Sequence, residues 1–143
     1  MTQVYNVETE EWTRWTDLSV SRWGHACARL DDIVVVGGGV STVFSIMSST
    51  TILDLTTGEE REAGELQGAR AWFGMATIDS KVLAYGGMSP LRDQYSNILQ
   101  LDTETEQWVE LDDKLELPEE FLLSPQPWFL KTKSVDNHYF VYF

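Results

Sequence analysis

Short apolar runs alternate with polar turns along the chain, and the runs come in pairs. The first run of each pair ends at a polar dipeptide, Asp31-Asp32 or Asp79-Ser80. The run that follows is continuously apolar in both places, Ile33–Val36 and Val82–Tyr85. Apolar runs joined by a polar dipeptide are typical of a β-hairpin, and an unbroken apolar run is typical of a strand covered on both faces. The pattern therefore predicts antiparallel strands and no helix across either apolar run.

The same pattern recurs with a period of 48 residues and without a gap. This step carries Arg22 to Arg70, Gly38-Gly39 to Gly86-Gly87, and Leu53-Asp54 to Leu101-Asp102. Three copies coincide at Thr9, Thr57 and Thr105, while Trp12 and Trp108 share a position that Glu60 fills in the middle copy. A fixed period of this length is the signature of a repeat fold.

Each copy is predicted to contain four short strands, of which the polar fourth strand is outermost. Residues 1–18 then supply the last two strands of a preceding unit, and residues 19–66 and 67–111 supply two complete units. Residues 112–143 supply an insertion and the first two strands of a further unit. The basis for the last assignment is that Val135–Tyr142 repeat the character of Ile78–Tyr85, now offset by 57 residues.

The order of Arg, strand, Gly-Gly, an apolar-Asp pair, Thr and Trp resembles the kelch repeat of β-propellers over residues 3–111. The chain departs from that pattern at Leu53 and Leu101, where Tyr is usual, and at Glu60, where Trp is usual. The resemblance implies an all-β fold, a kelch-type propeller arc of four-stranded antiparallel blades. Since propellers typically have about 4–8 blades, this arc of about three is incomplete. We expect the chain to be a fragment of a longer kelch protein or a truncated product.

Charge and composition narrow the classes of partner. The chain has 143 residues and a formal net charge of −13, from 23 acidic and 10 basic side chains. Because phosphate backbones and anionic lipids bind through Lys and Arg, nucleic-acid and membrane-surface roles are disfavoured. One cysteine, Cys27, allows no disulfide within the chain. With no signal-like start and no apolar stretch of about 18 residues, we expect a cytoplasmic protein.

Residues that could support catalysis do not assemble in the sequence. His25 and His138 are far apart, and Cys27 on an inner strand is expected to be a small core residue. Gly37–Gly39 lacks the spacing and the following Lys of a phosphate-binding loop. We therefore predict no catalytic residues, no metal site and no cofactor.

Two surfaces differ in composition. Glutamates recur at the turn between the third and fourth strands and along the fourth strand, where an acidic rim would protect an edge from pairing. On the opposite face, the loops bring Arg and aromatic residues together, which is the composition of interface hot spots. The candidate partner-binding residues are Arg22, Trp23, Phe44, Arg70, Trp72, Arg92, Tyr95 and Trp128.

Several repeated residues have a structural interpretation. Gly38, Gly39, Gly86 and Gly87 are expected to end a buried strand where a neighbouring backbone approaches closely. Trp12 and Trp108 are expected to be anchors packed between blades. For Arg22 and Arg70, a structural contact to a neighbour's carbonyl groups and a binding role are equally weighted alternatives.

The resemblance to kelch propellers implies a non-enzymatic module that presents loops to a protein partner, as in the substrate-recognition parts of ubiquitin-ligase adaptors. The alternatives are a fragment of a kelch-scaffold enzyme of the galactose-oxidase or sugar-mutarotase type, or a product without function. Because uncovered terminal blades leave apolar faces and strand edges free, we also expect the isolated chain to self-associate.

Overall fold

In the computed structural model the chain is described over residues 2–114, 134–135 and 138–139, and these residues form strands and turns without a helix. The strands are β1 (Gln3–Asn6), β2 (Glu11–Arg14), β3 (Arg22–Trp23), β4 (Ala26–Leu30), β5 (Ile33–Gly37), β6 (Val40–Ser41), β7 (Thr50–Asp54), β8 (Glu60–Ala63), β9 (Gly74–Ile78), β10 (Lys81–Tyr85), β11 (Asn97–Asp102), β12 (Gln107–Lys114), β13 (Ser134–Val135) and β14 (His138–Tyr139). Among the described residues, no helix could therefore cross a membrane.

Two four-stranded antiparallel sheets, here called the first and second blade, form the body of the described chain. The first blade has the order β4-β5-β7-β8 and the second has the equivalent order β9-β10-β11-β12. The pairing is equivalent too, since Val35 faces Ile52 in the first blade and Leu83 faces Gln100 in the second, each 48 residues on. The predicted all-β arc of antiparallel blades is confirmed.

Three two-stranded pairs accompany the blades. β1 pairs with β2 as an isolated hairpin, β3 pairs with β6, and β13 pairs with β14. The β3–β6 pair was not predicted, because Arg22-Trp23 reads as part of a loop and its partner Val40-Ser41 lies beyond the glycine pair. Two residues carry too little periodicity to indicate a strand, so only the tertiary contact defines this one.

The turns between the third and fourth strands have one shared mechanism in all three copies. The side-chain oxygen of Asp54 accepts hydrogen bonds from the backbone N–H groups of Thr56 and Thr57, at 2.8 and 2.9 Å. Asp102 and Asn6 accept the same two bonds from the residues two and three positions on. These bonds to the charged form hold the pKa of Asp54 and of Asp102 below the ordinary value. The repeated Asx turn fixes each hairpin's register.

The core lies between the two blades. Val35 and Ile52 of the first blade, with Val82 and Leu99 of the second, are at most 1% exposed. Trp108 on β12 reaches back across this interface, where its indole Nε1 donates to Thr50 Oγ1 at 2.9 Å. The backbone N–H of Gly64 also donates to the carbonyl of Glu106, at 2.7 Å. Burial and hydrogen bonds together make the blade-to-blade contact the main stabilising interface.

The glycine pairs follow β5 and β10 directly, at equivalent strand ends. Gly39 and Gly87 have φ of +90° and +91°, a region that side chains rarely adopt. A Cβ on Gly87 would lie 2.5 Å from Phe73 Cβ, and one on Gly38 would lie 2.4 Å from the carbonyl oxygen of Arg70. Backbone conformation and close approach both exclude larger residues at Gly38, Gly39 and Gly87, whereas at Gly86 only the φ of +69° does so.

Two expectations about buried residues are wrong for the first blade and the hairpin before it. Trp12 is 66% exposed and contacts the ring of Tyr5, whose centroid is 5.0 Å away, instead of packing between blades. Cys27 is exposed rather than a core residue. Both lie on faces directed away from the second blade, and their repeat equivalents, Trp108 and Met75, are buried only because the first blade covers them.

Candidate functional site

Two hairpin loops of identical construction carry three of the four most exposed large apolar side chains of the described residues, the fourth being Val7 in the β1–β2 turn. In residues 41–45, the N–H of Phe44 donates to the carbonyl of Ser41 at 2.9 Å, and the N–H of Ser45 bonds the Ser41 hydroxyl. In residues 89–93, the N–H of Arg92 donates to the carbonyl of Ser89 at 2.9 Å, and the N–H of Asp93 bonds the Ser89 hydroxyl. Each tip is therefore a closed turn rather than a loose loop.

The residue after the tip of each loop has an unfavourable backbone conformation. Phe44 has φ of +60° and Arg92 has φ of +67°. For a residue with a Cβ this region costs about 1–2 kcal/mol, which glycine would avoid. Both copies nevertheless have a large side chain at this position, which is consistent with a role for that side chain outside the turn.

Exposure picks out two residues that the sequence reasoning missed. Val43 and Leu91 are 80% and 84% exposed, beside Phe44 at 82%. Val43 and Leu91 are 48 residues apart, so the repeat register places an apolar residue at the same tip twice. This repeated apolar position was visible in the sequence. It was missed because Val43 and Leu91 are aliphatic, whereas the interface residues expected in these loops were Arg and aromatic residues.

Trp23 and Trp72 lie at the starts of the two blades and contact each other. Their rings meet edge to face, with centroids 5.5 Å apart and planes at 72°. The N–H of Trp72 donates to the carbonyl of Gly24 at 2.8 Å, which fixes the two segments together. Trp23 remains 47% exposed, whereas Trp72 is half-buried. The pair joins the blades and leaves one indole accessible, so Trp23 is the available contact residue of the two.

Arg70 is fully buried and bound to the backbone of its own repeat. Its guanidinium donates to the carbonyls of Gln67 at 2.8 Å and Gly86 at 3.3 Å, and to Asn97 Oδ1 at 3.2 Å. It also lies 4.2 Å from the ring centroid of Tyr95, a cation–π contact. Burial lowers the pKa of Arg70 from its ordinary value. With an exposed fraction of 0%, its side chain offers no atom to a partner.

Arg22 makes the equivalent contacts in a half-buried setting. It donates to the carbonyls of Gly38 and Ser49, both at 3.0 Å. Burial lowers its pKa as well, while the nearby carboxylate of Glu60 opposes that shift. Both arginines donate to the carbonyl of the first glycine in the repeated pair, Arg22 to Gly38 and Arg70 to Gly86. This contact to backbone carbonyls is the structural one of the two alternatives given for these residues.

The remaining candidates fall into two groups. Tyr95 is half-buried beneath Arg70, with its hydroxyl 3.4 Å from the carbonyl of Ala69, while Arg92 is exposed at a loop tip. Trp128 lies outside the described residues. The structure thus joins Arg70 to Tyr95 and Trp23 to Trp72, pairs Trp23 with Val40 beside the first tip, and leaves Phe44 and Arg92 exposed at the tips. We call residues 41–45, residues 89–93 and Trp23 the loop face.

The acidic rim takes part in packing as well as facing solvent. Arg61 of the first blade pairs with Glu106 of the second, with the closest nitrogen and oxygen 2.8 Å apart. Glu60 accepts from both the backbone N–H and the hydroxyl of Ser19, each at 2.8 Å, and Glu65 accepts from Ser48. These carboxylates hold neighbouring segments in place, so part of the rim has a structural role.

Titratable groups near the centre of the first blade offer little reactivity. Although His25 is exposed overall, partial desolvation, followed by the charge of Arg22, lowers its pKa, so the imidazole is held neutral more strongly than usual. Partial desolvation by the neighbouring strands raises the pKa of Cys27, although the residue is exposed overall, and thus disfavours its thiolate. Within the described residues, no three His, Cys, Asp or Glu side chains group into a metal site.

Two clefts of the described chain have linings that mix polar and apolar groups. One of about 470 Å³ lies between hairpin turns and is lined by Leu30–Ile33, Ser80 and Thr103. A second of about 120 Å³ lies between Ser19-Val20, Arg22 and the outer strand of the first blade. The first cleft is wide open to solvent and the second is small, so neither encloses the buried apolar pocket that is typical of a small-molecule site.

Comparison with known proteins agrees with the repeat pattern. Residues 69–114, which comprise the second blade and the segment leading into it, match the family model of the Kelch motif. The chain is also 25% identical over 133 residues to Kelch-like protein 25 of Xenopus tropicalis, an alignment that covers 87% of this chain. The chain spans about a fifth, 21%, of the length of that relative. The resemblance to kelch repeats over part of a propeller is confirmed.

Proposed function

Because the chain carries kelch repeats, we propose that it is a protein–protein interaction module whose contact surface is the loop face. The observation that carries this proposal is the pair of equivalent tips, Val43-Phe44 and Leu91-Arg92. Each tip projects a nearly fully exposed aliphatic residue followed by a large side chain at positive φ. The kelch similarity supports an interaction module in general terms.

The physical argument rests on what the exposed groups would gain from a partner. A side chain such as Phe44 or Leu91 gains about 1.5–3 kcal/mol when it moves from water into an apolar pocket. The turns that carry these residues are closed by backbone hydrogen bonds, so little ordering entropy is lost on binding. Arg92, beside Leu91, adds a charge that can pair with a carboxylate at the rim of the contact.

A finer proposal concerns the role of this contact. By its resemblance to kelch propellers that serve as recognition parts, the module would bind the substrate of a ubiquitin-ligase adaptor. The loop face then selects the protein to be modified, while other parts of the adaptor engage the ligase. An enzymatic role has no comparable support, since the described clefts bring together neither a nucleophile with its base nor a set of metal ligands.

The experiment is affinity capture followed by measured binding of the captured protein. The wild-type chain, the double variant Phe44→Ala/Leu91→Ala and a rim variant, Glu59→Lys/Glu62→Lys, are immobilised equally and exposed to one cell extract. A partner of the loop face is retained by the wild type and the rim variant and lost by the loop variant. The purified partner should bind the loop variant at least tenfold more weakly. The opposite pattern, loss by the rim variant alone, would refute the proposal.

The adaptor role has a separate readout. Once a partner is purified, cellular removal of the kelch-bearing protein should raise the abundance of that partner and lower its ubiquitin conjugates. If the partner binds at the loop face and its abundance and conjugates stay unchanged, the interaction stands and the adaptor role is wrong.

A further inference from the structure

Arg22 and Arg70 share the bond to the first repeat glycine but differ in the rest of their acceptors. Arg70 donates from both terminal nitrogens and from Nε, the last to the carbonyl of Gly68 at 3.5 Å. Arg22 donates from its two terminal nitrogens. Among the described residues, the Nε of Arg22 is buried and has no hydrogen-bond partner. The first repeat therefore leaves a buried donor unsatisfied where the second repeat supplies an acceptor.

The difference lies in the segment that leads into each blade. In the second repeat, the carbonyls of Gln67 and Gly68 both accept from the arginine. The equivalent residues of the first repeat are Ser19 and Val20, and neither is among the acceptors that its arginine has in the described chain. Glu60, which stands where the other copies have tryptophan, instead accepts from the N–H and the hydroxyl of Ser19, each at 2.8 Å. The first leading segment is thus held to the outer strand and not to the arginine.

A pocket of about 120 Å³ lies between this segment and the outer strand, and Arg22 is part of its lining. The volume is about four times the roughly 30 Å³ that one water molecule takes in the liquid. Glu62 and Glu65 line the same pocket. Glu62 lies on the face of the guanidinium, because it is paired across the sheet with Thr51, whose hydroxyl accepts from Arg22 at 3.4 Å. The pocket therefore combines an unsatisfied donor with carboxylate acceptors.

This combination restricts the chemistry of the group that fits. An anionic group would meet the carboxylates of Glu62 and Glu65, and a cationic group would meet the guanidinium of Arg22. A primary amide is neutral, accepts through its carbonyl oxygen and donates through two N–H groups. A backbone amide has one N–H group and satisfies only part of the acceptors.

We propose that this pocket binds the side-chain amide of an Asn or Gln residue of a partner protein, with the amide oxygen on Arg22 Nε and the amide nitrogen on Glu62. The contact acts mainly on specificity, since a partner with an apolar or charged residue at this point leaves the buried donor of Arg22 unsatisfied. The pocket lies outside the loop face as defined above. Its test uses no loop-face partner, so failure of either proposal leaves the other standing.

The experiment follows the Nε–H resonance of Arg22 by NMR in the isotope-labelled full chain while acetamide is added as the probe. The resonance is assigned by its loss in Arg22→Lys. It should shift and reach a plateau, whereas the Nε–H resonance of Arg70, already bonded to Gly68, should stay in place. Acetate at the same ionic strength should give no saturating shift, because the carboxylates of the pocket repel it. A shift of Arg22 that grows linearly with acetamide, as after a change of solvent, overturns the proposal.

Two glutamate variants test the acceptor side of the pocket. Glu62→Gln should weaken acetamide binding roughly threefold or more and strengthen acetate binding, because the charge that accepts from the amide and repels the anion is removed. Glu59→Gln removes the same charge from an exposed residue outside the lining of this pocket and should bind acetamide like the wild type. Circular dichroism of each variant checks that the strands are retained. If the two variants bind acetamide equally well, the proposal is wrong.

A second amide separates a side chain from a peptide backbone as the occupant. N-Methylacetamide has one N–H group and represents the backbone, so it should bind roughly threefold or more weakly than acetamide. Equal binding of the two amides would assign the pocket to a backbone carbonyl and would overturn the assignment to an Asn or Gln side chain.

Discussion

Trp108 and Trp12 have the same residue type, the same position in the repeat and equivalent hairpin pairing, yet one is 4% exposed and the other 66%. Trp108 lies against the first blade and donates a hydrogen bond to Thr50. Trp12 lies on a hairpin that packs its ring only against Tyr5. Since residue type, repeat position and hairpin pairing are shared, the neighbour that each ring meets accounts for the difference in burial.

The same difference recurs on the inner strands. Met75 on β9 is 8% exposed because it faces the first blade, whereas Cys27, its equivalent on β4, is exposed. At these positions the repeat specifies a residue suited to burial and the neighbouring segment decides whether it is buried, whereas Val36 and Leu53, on the same face as Cys27, are buried at 5% and 3% exposure. This is the behaviour expected of a fold whose stability depends on contacts between nearest neighbours.

The largest expected effect is the contrast between the two tryptophans themselves. Trp108→Ala removes a buried ring and its hydrogen bond, so it should lower the free energy of unfolding by about 3–5 kcal/mol. Trp12→Ala should change it by less than about 0.5 kcal/mol, since the ring is mostly exposed. Urea denaturation at a protein concentration where both variants are monomeric measures the difference. If both variants lose the same free energy of unfolding, Trp12 is as buried in solution as Trp108.

The second effect concerns the equivalent arginines. Arg70→Met leaves the carbonyls of Gln67 and Gly86 without their buried donor, and should lower the free energy of unfolding by about 2–3 kcal/mol. Arg22→Met, in a half-buried site where water can reach part of the side chain, should lower it by about 1 kcal/mol. The same denaturation measurement applies. A larger loss of unfolding free energy for Arg22→Met than for Arg70→Met would contradict the expectation that the more deeply buried arginine contributes more to stability.

A smaller effect tests the hydrogen bond that joins the blades. Thr50→Val keeps the shape of the side chain but leaves the buried indole N–H of Trp108 without an acceptor, so we expect a loss of about 1–2 kcal/mol. Adding Thr50→Val to Trp108→Ala should cost almost nothing more, because the bond is already absent. Full additivity of the two losses would exclude this bond as the link between the blades.

The exposed cysteine on β4 provides a chemical test of the difference between Cys27 and Met75. Because desolvation raises the pKa of Cys27, the thiol stays protonated to a higher pH than usual, and only the thiolate reacts. The rate of iodoacetamide labelling should therefore rise with pH and reach its midpoint above that of an unfolded control of the same chain. Met75→Cys in a Cys27→Ser background should label only on unfolding. Rapid labelling at neutral pH would contradict the raised pKa.

The smallest expected effect is an acid dependence at the repeated turns. Asp54 and Asp102 have a folded-state pKa below the ordinary value, so their contribution to stability is present above the unfolded-state pKa and is lost as pH falls through the folded-state pKa. Asp102→Asn should retain the turn, as Asn6 does in the first hairpin, and remove that part of the acid dependence. Thermal unfolding followed between neutral and strongly acidic pH measures it. If the unfolding temperature of Asp102→Asn depends on pH as that of the wild type does, the turn hydrogen bonds do not link the stability of the fold to the protonation of Asp102.

The sequence alone was sufficient for the blades because the evidence is local and repeated. Alternating apolar runs, polar turns and the 48-residue register define the eight blade strands, β4, β5 and β7 to β12, without reference to contacts. The glycine pairs could be placed at strand ends for the same reason, since only glycine suits the required φ and close approach. The short β3–β6 pair could not be predicted, because two residues contain no period.

Only the tertiary structure decided which member of each repeated pair is buried. The sequence placed Arg22 with Arg70 and Trp12 with Trp108, but it could not say which of them lies against a neighbouring blade. The exposed tips at Val43 and Leu91 were also decided by structure, because burial depends on the folded path of the loop. The physical reason is common to all of them: periodicity and turn chemistry act within a few residues, whereas burial is a property of surfaces that meet only after folding.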